Sequence, residues 1–147
     1  MNATAPARPA ELHQRRVRLS REPAAVAQAR GHVRAALRAW RVPVDPDVAI
    51  LLVSDVATSV ITHGAGPSIT VAIRCSRGQL RVDVYDSARS PLALAGAPGD
   101  RDPVPGLALV ALLADDWGVF RTPAGRAVYF ALTFQAGAAA GLPWRGR

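Results

Sequence analysis

"DPDVAILLVSDVATSVITHG", residues 45–64, opens on an acid–proline pair and closes on a glycine. Asp45 followed by Pro46 marks a helix start, because an acidic side chain accepts a first-turn amide and proline suits the first helical position. Gly64 is placed as the C-terminal cap. Between them, the first half is apolar nearly all round, which predicts a buried helix. Asp55, Ser59 and His63 follow at intervals of four and stack along one side. That spacing fits a row of site residues or the polar back of a packing helix. A nucleophilic triad is disfavoured, because three residues in a row do not converge on one reacting atom.

Working outward, two strands follow. "SITVAIRCS" (68–76) puts Ile69, Val71, Ile73 and Cys75 on one face. "QLRVDVYDS" (79–87) puts Leu80, Val82 and Val84 on one face and Arg81, Asp83 and Tyr85 on the other. The short link between them predicts a hairpin, and Cys75 reads as a core residue. Upstream, "RRVRLS" (15–20) alternates as a short edge strand. "EPAAVAQARGHVRAALRAW" (22–40) then repeats Val26, Ala29, Val33, Leu37 and Trp40 at helical spacing, with Arg30, Arg34 and Arg38 as the solvated stripe. Gly31 is a mild weakness in that helix.

Downstream, residues 90–105 are rich in Pro and Gly and read as a long loop, a length that is usually functional or disordered. "GLALVALLA" (106–114) reads as a buried helix with Gly106 at its start. "DDWGVFRT" (115–122) and "RAVYFALTF" (126–134) close as a hairpin. Trp40 and Trp117 are expected to pack in the body, with Trp144 in the tail. The predicted fold is α+β: a two-layer sandwich with helices on one face of a mixed, mostly antiparallel sheet. The polar side of the sheet faces solvent or a partner. Residues 1–14 and 135–147 are expected to be tails around one domain at 15–134.

Composition bounds the function. The chain carries a formal charge of +7, and all eighteen basic residues are Arg. Residues 1–21 hold five Arg and one Glu, while 22–144 hold eleven Arg and ten acids. The body is thus nearly neutral, which argues against nucleic acid as the main partner and leaves the Arg-rich segment 1–21 as the only basic candidate. Uniform Arg use beside many Ala, Gly and Pro reads as a GC-rich coding bias. A single cysteine forbids an intrachain disulfide and fits a reducing cytoplasm. No secretory h-region opens the chain, and the apolar runs are too short and interrupted to span a bilayer. His13, His32 and His63 lack metal-ligand spacing, and no Walker motif occurs.

Four stretches together resemble a known family: "LSREPAAVAQARGHVRAALRAW", "LLVSDVATSVITH", "VDVYDS", and "GLALVALLADDWGV" with "TPAGRAVYF". In order and spacing they are similar to the histidine-kinase-like ATPase domains of the bacterial anti-sigma-factor serine/threonine kinases, which share the GHKL, or Bergerat, ATP-binding fold. The resemblance covers about residues 15–134. It implies ATP and Mg²⁺ as cofactors, a sigma factor or an anti-sigma antagonist as partner, and allows a homodimer. It places Asp55 at the acid position of the N-box, Ser59 where the family has a Mg²⁺-binding Asn, and His63 at the motif His. Asp86 matches the aspartate that reads the adenine amino group, and 90–105 matches the lid. The second glycine box reads "VPGL": Val104 and Pro105 replace the first glycine and its neighbour, while Gly106 and Leu107 remain. The resemblance therefore implies a retained fold with Mg-ATP binding and phosphotransfer weakened or lost. The alternative is a protein-interaction module that no longer uses nucleotide.

Overall fold

The computed structural model describes residues 11–87, 106–122 and 125–135. The elements are β1 (Glu11–Ser20), α1 (Ala24–Trp40), α2 (Pro46–His63), β2 (Ser68–Ser76), β3 (Gln79–Asp86), α3 (Ala108–Leu113), β4 (Asp116–Thr122) and β5 (Gly125–Thr133). The five strands form one sheet in the order β1-β2-β3-β5-β4. The expected loop at 90–105 lies outside the described residues, with Val104 and Pro105, and so does Trp144.

α1 and α2 reverse the chain twice between β1 and β2, so β2 returns antiparallel to β1. The β2–β3, β3–β5 and β4–β5 pairs are antiparallel as well. This corrects the mixed sheet expected from sequence: among the described residues every pairing is antiparallel. β1 starts at Glu11, four residues earlier than the alternation of 15–20 suggested, because backbone pairing with the end of β2 carries it through a bulge between Glu11 and His13. Residues 11–14 therefore belong to the sheet and not to the expected tail.

The helices cover one face. Asp45 caps α2 by accepting the Asp47 amide at 2.9 Å, with Pro46 at the first helical position. Ala49, Leu52, Val53, Val56, Ala57 and Val60 of α2 are buried, against Ala25, Ala29, Val33, Ala36 and Leu37 of α1. The small residues let the two helices approach each other closely. α1 ends at Arg41 in the left-handed conformation, and the Val42 amide reaches back to the Leu37 carbonyl at 3.1 Å, as in a Schellman cap. Ile69, Val71, Ile73, Leu80, Val82, Val84 and Phe130 face the helices with no exposed surface. Cys75 joins this core as expected, and burial pushes its thiol pKa up. Against the expectation that every apolar run is too short, α2 is the one helix among the described residues that reaches the length and mean hydropathy (1.2) of a membrane span. Seven buried side chains, six of them apolar, mark it as a core helix.

Two expectations fail at the β4 edge. The helix read as buried over 106–114 is only six residues long and buries Val110 alone among them. Leu112 is 76% exposed, and Leu109 and Leu113 are 38% exposed. Trp117, expected inside, is also exposed, because so short a helix covers too little of the edge strand beneath it.

The other face of the sheet is open among the described residues. Strand register sets its side chains in three rows across the strands: Gln14, Arg74, Arg81, Ala131 and Asp116; Arg16, Ala72, Asp83, Tyr129 and Gly118; Arg18, Thr70, Tyr85, Ala127 and Phe120. Asp83 sits at the centre of this polar face, yet it is fully buried. Arg81 donates to it through Nε at 2.8 Å and Nη2 at 3.1 Å, and Arg74 through Nη2 at 3.2 Å. The two guanidiniums roof the carboxylate and satisfy its lone pairs, which is what makes a buried charge tolerable.

Candidate functional site

At one end of the sheet the last turns of α2 meet the end of β3, the start of β5 and the approach to α3. Asp86 is the final residue of β3 and is 6% exposed. Its Oδ1 accepts the Arg126 backbone N–H at 3.1 Å. Its Oδ2 lies against Gly64, where a Cβ would come within 2.9 Å. Gly64 does cap α2, donating to the Val60 carbonyl at 2.8 Å, but its backbone is extended (φ −88°) and not left-handed. Glycine is needed here for close approach to the carboxylate and the Val60 carbonyl, not for backbone freedom.

Ser59 faces the approach to α3. It is 3% exposed, and its Oγ is buried without a hydrogen-bond partner. A Cβ on Gly106 would lie 3.9 Å from the Ser59 Cβ, so residues 47 positions apart in sequence are neighbours. Gly106 has φ +86°, a conformation that glycine adopts at little cost. It precedes α3 instead of opening it; the N-cap is Leu107, which is 4% exposed and part of the core. Leu107 therefore acts by packing and by accepting the Ala111 amide at 2.9 Å.

Asp55 lies one turn before Ser59 and is half-buried; burial pushes its carboxyl pKa up. That direction makes it a better proton acceptor as long as it stays ionised. His63 is exposed and contributes its carbonyl, which accepts from Arg126 Nη2 at 3.5 Å. The structure thus brings Ser59, Gly106 and Leu107 together, and Asp86 beside the His63–Gly64 corner.

Among the described residues the donor set does not by itself complete a Mg²⁺ shell. Such an ion takes near-octahedral hard oxygens. This helix face offers one neutral hydroxyl and one carboxylate a turn away. Among the described residues no group of three or more His, Cys, Asp or Glu side chains could hold a metal. The orphaned Ser59 Oγ instead fits a hydrogen bond to a polar group of a ligand or to water.

Two arginines that sequence reading passed over build this corner. Arg21 donates through Nε to the Gly66 carbonyl and through Nη1 to the Ile61 carbonyl, each at 2.6 Å. Arg126 bridges Asp86 and His63, as described. Both act across more than 39 positions of chain, so no local pattern announces them. At the opposite end of the sheet, an apolar cavity of about 220 Å³ lies among Leu12, Trp40, Val42, Cys75 and Phe134. His13 stacks on Trp40 at its wall, with ring centroids 5.1 Å apart.

The fold and this corner together define an α+β two-layer sandwich with its candidate site at the C-terminal end of a core helix. Compared with protein-family models the chain matches none, and compared with curated proteins it matches none.

Proposed function

We propose that the chain is a cytoplasmic regulatory protein of the anti-sigma-factor kinase-like type, with the GHKL fold. It binds an adenine nucleotide at the α2–β3 corner without a protein-held Mg²⁺, and transfers phosphate weakly or not at all. The observation that carries this reading is a pair of long-range contacts near the C-terminal end of α2: Ser59 lies beside Gly106, and Asp86 packs against Gly64. A buried strand-end carboxylate can accept the adenine amino group, and the buried Ser59 hydroxyl has a hydrogen bond to give. In a working kinase of this kind, Asp55 would take the proton of an attacking serine hydroxyl as the γ-phosphoryl group moves to it and ADP leaves. Asp55 retains that capacity here, while Ser59 stands where the family has its Mg²⁺-binding Asn. The partner in this reading is a sigma factor or its anti-sigma antagonist.

Calorimetric titration with ATP tests it. Binding is expected to be weak, insensitive to added Mg²⁺ and lost in Asp86→Asn, with Ser59→Asn gaining Mg²⁺ dependence. Tight Mg²⁺-dependent binding with transfer to a cognate antagonist would overturn the degenerate reading. A second reading, a nucleotide-free interaction module, is favoured by the engagement of Asp86 with the backbone of its own chain. Partner capture that survives complete removal of nucleotide, with no ATP binding by the wild type or by Ser59→Asn, would establish that reading instead.

A further inference from the structure

We propose that the open face of the sheet is a docking surface for single-stranded nucleic acid. The bases would lie against Tyr85, Phe120 and the Arg81–Tyr129 pair, and the phosphates against Arg16 and Arg18.

The aromatic residues form a continuous group. Tyr85 and Phe120 meet edge to face with centroids 6.4 Å apart, and Phe120 and Tyr129 lie 6.1 Å apart. The Arg81 guanidinium sits 3.9 Å above the Tyr129 ring, and Arg16 reaches 5.6 Å from the Tyr85 centroid. Sheets that present aromatic rings and arginines on an open face are a recurrent solution for single strands, because every base has a π-face and every linkage a charge.

The face is also built to hold its shape. A Cβ on Gly118 would fall 2.8 Å from Tyr129 Cε1, so the ring occupies the space that glycine leaves on the neighbouring strand. Tyr129 is further tied by its hydroxyl to Asp116 at 3.2 Å, and Arg81 by two bonds to the buried Asp83. A rigid platform loses little freedom on binding.

Charge selects the partner. The rows carry four arginines against Asp83 and Asp116. Arg16 and Arg18 are exposed at the β1 side. They belong to the Arg-rich segment 1–21, four of whose five arginines lie among the described residues. The centre of the face is an ion network, not the charge-depleted apolar core of a protein–protein interface, and nucleic-acid interfaces are the more polar and more basic kind. A second copy on the same face would bury two such networks against each other, at a desolvation cost.

Fluorescence anisotropy of the full chain with labelled oligo-U and oligo-dT of about 15 nucleotides tests the proposal. Saturable binding is expected, with a log–log salt slope of about −1.4 if the two arginines each neutralise one phosphate. Arg16→Glu with Arg18→Glu should abolish most of the affinity, and Phe120→Ala should lower it at least about fivefold. Thermal melts monitor folding, and the two arginine substitutions on the exposed surface remain decisive if Phe120→Ala destabilises the chain. Excess ATP should not compete, which separates this surface from the α2–β3 corner. Four results would each overturn the proposal: no saturable binding at low salt; equal binding of duplex DNA or heparin, which would show charge alone; binding lost in Arg8→Ala but kept in the Arg16/Arg18 variant; or self-association or an acidic protein partner, instead of the oligonucleotides, being abolished by the Arg16/Arg18 variant.

Discussion

Gly64 and Asp86 are in steric contact: a Cβ on the glycine would stand 2.9 Å from the carboxylate Oδ2. The end of the core helix α2 and the end of the central strand β3 are thereby held at a spacing that admits no side chain. Gly64→Ala should force the two apart, at a cost of about 1–3 kcal/mol. A lowered melting temperature and a shifted Arg126 amide resonance would verify it. An unchanged melt would mean the corner yields freely.

The same substitution at Gly31 should have the opposite sign. Gly31 is exposed inside α1, and a Cβ there would meet nothing within 4 Å. Gly31→Ala should stabilise the chain by about 0.5–1 kcal/mol through helix propensity and reduced freedom of the unfolded chain. Denaturant melts of wild type and variant, compared at equal slope, give the number directly.

Asp83 is the anionic centre of the open face, and its side chain is 1% exposed while Arg74 and Arg81 remain about one-third exposed. Asp83→Asn replaces the carboxylate between the two guanidiniums by a neutral side chain. Breaking a buried pair typically costs about 3–5 kcal/mol; here about 2 kcal/mol is expected, because both arginines can turn to water. Chemical denaturation measures it, and the loss should change little with added salt, since the carboxylate is shielded from solvent.

Asp55 gives a pH signature. Burial raises its carboxyl pKa in the folded chain, so folding favours the protonated form. That contribution is complete below the ordinary carboxylate pKa and is lost as the pH rises through the folded value. Asp55→Asn should therefore raise the melting temperature at neutral pH and bring no gain in acid. Paired melts from acid to neutral pH would show the two curves converging at the acid end; parallel curves would contradict the assignment.

How far the sequence could be read depended on the range of the signal. α2 announced itself locally, through Asp45, Pro46 and the apolar run that follows, and the structure keeps those limits. The alternation in 68–76 and 79–86 was equally local, and its inward residues are the core. The burial of Asp83 was not legible, because it is produced by Arg74 on a neighbouring strand together with Arg81, on a face whose pattern reads simply as polar. α3 misled for a related reason: "GLALVALLA" has the composition of a buried helix, but only tertiary contact decides how much of it finds a partner. At the candidate site the residue positions came from the resemblance. The pairings that make it a site, Ser59 with Gly106 and Gly64 with Asp86, are long-range contacts. Gly64 caps α2 as the sequence suggested, and long-range contact with Asp86 adds the role of a spacer.

The ten-residue strand β1 has one further consequence. It borders the sheet, and along its outer side its peptide groups have no strand neighbour among the described residues. Such a border is a template on which further chains can stack into cross-β aggregates. Arg15, Arg16 and Arg18 place like charges along that border, so a second β1 approaching in register would set arginine against arginine. Like charge along the edge thus opposes pairing of one β1 with another.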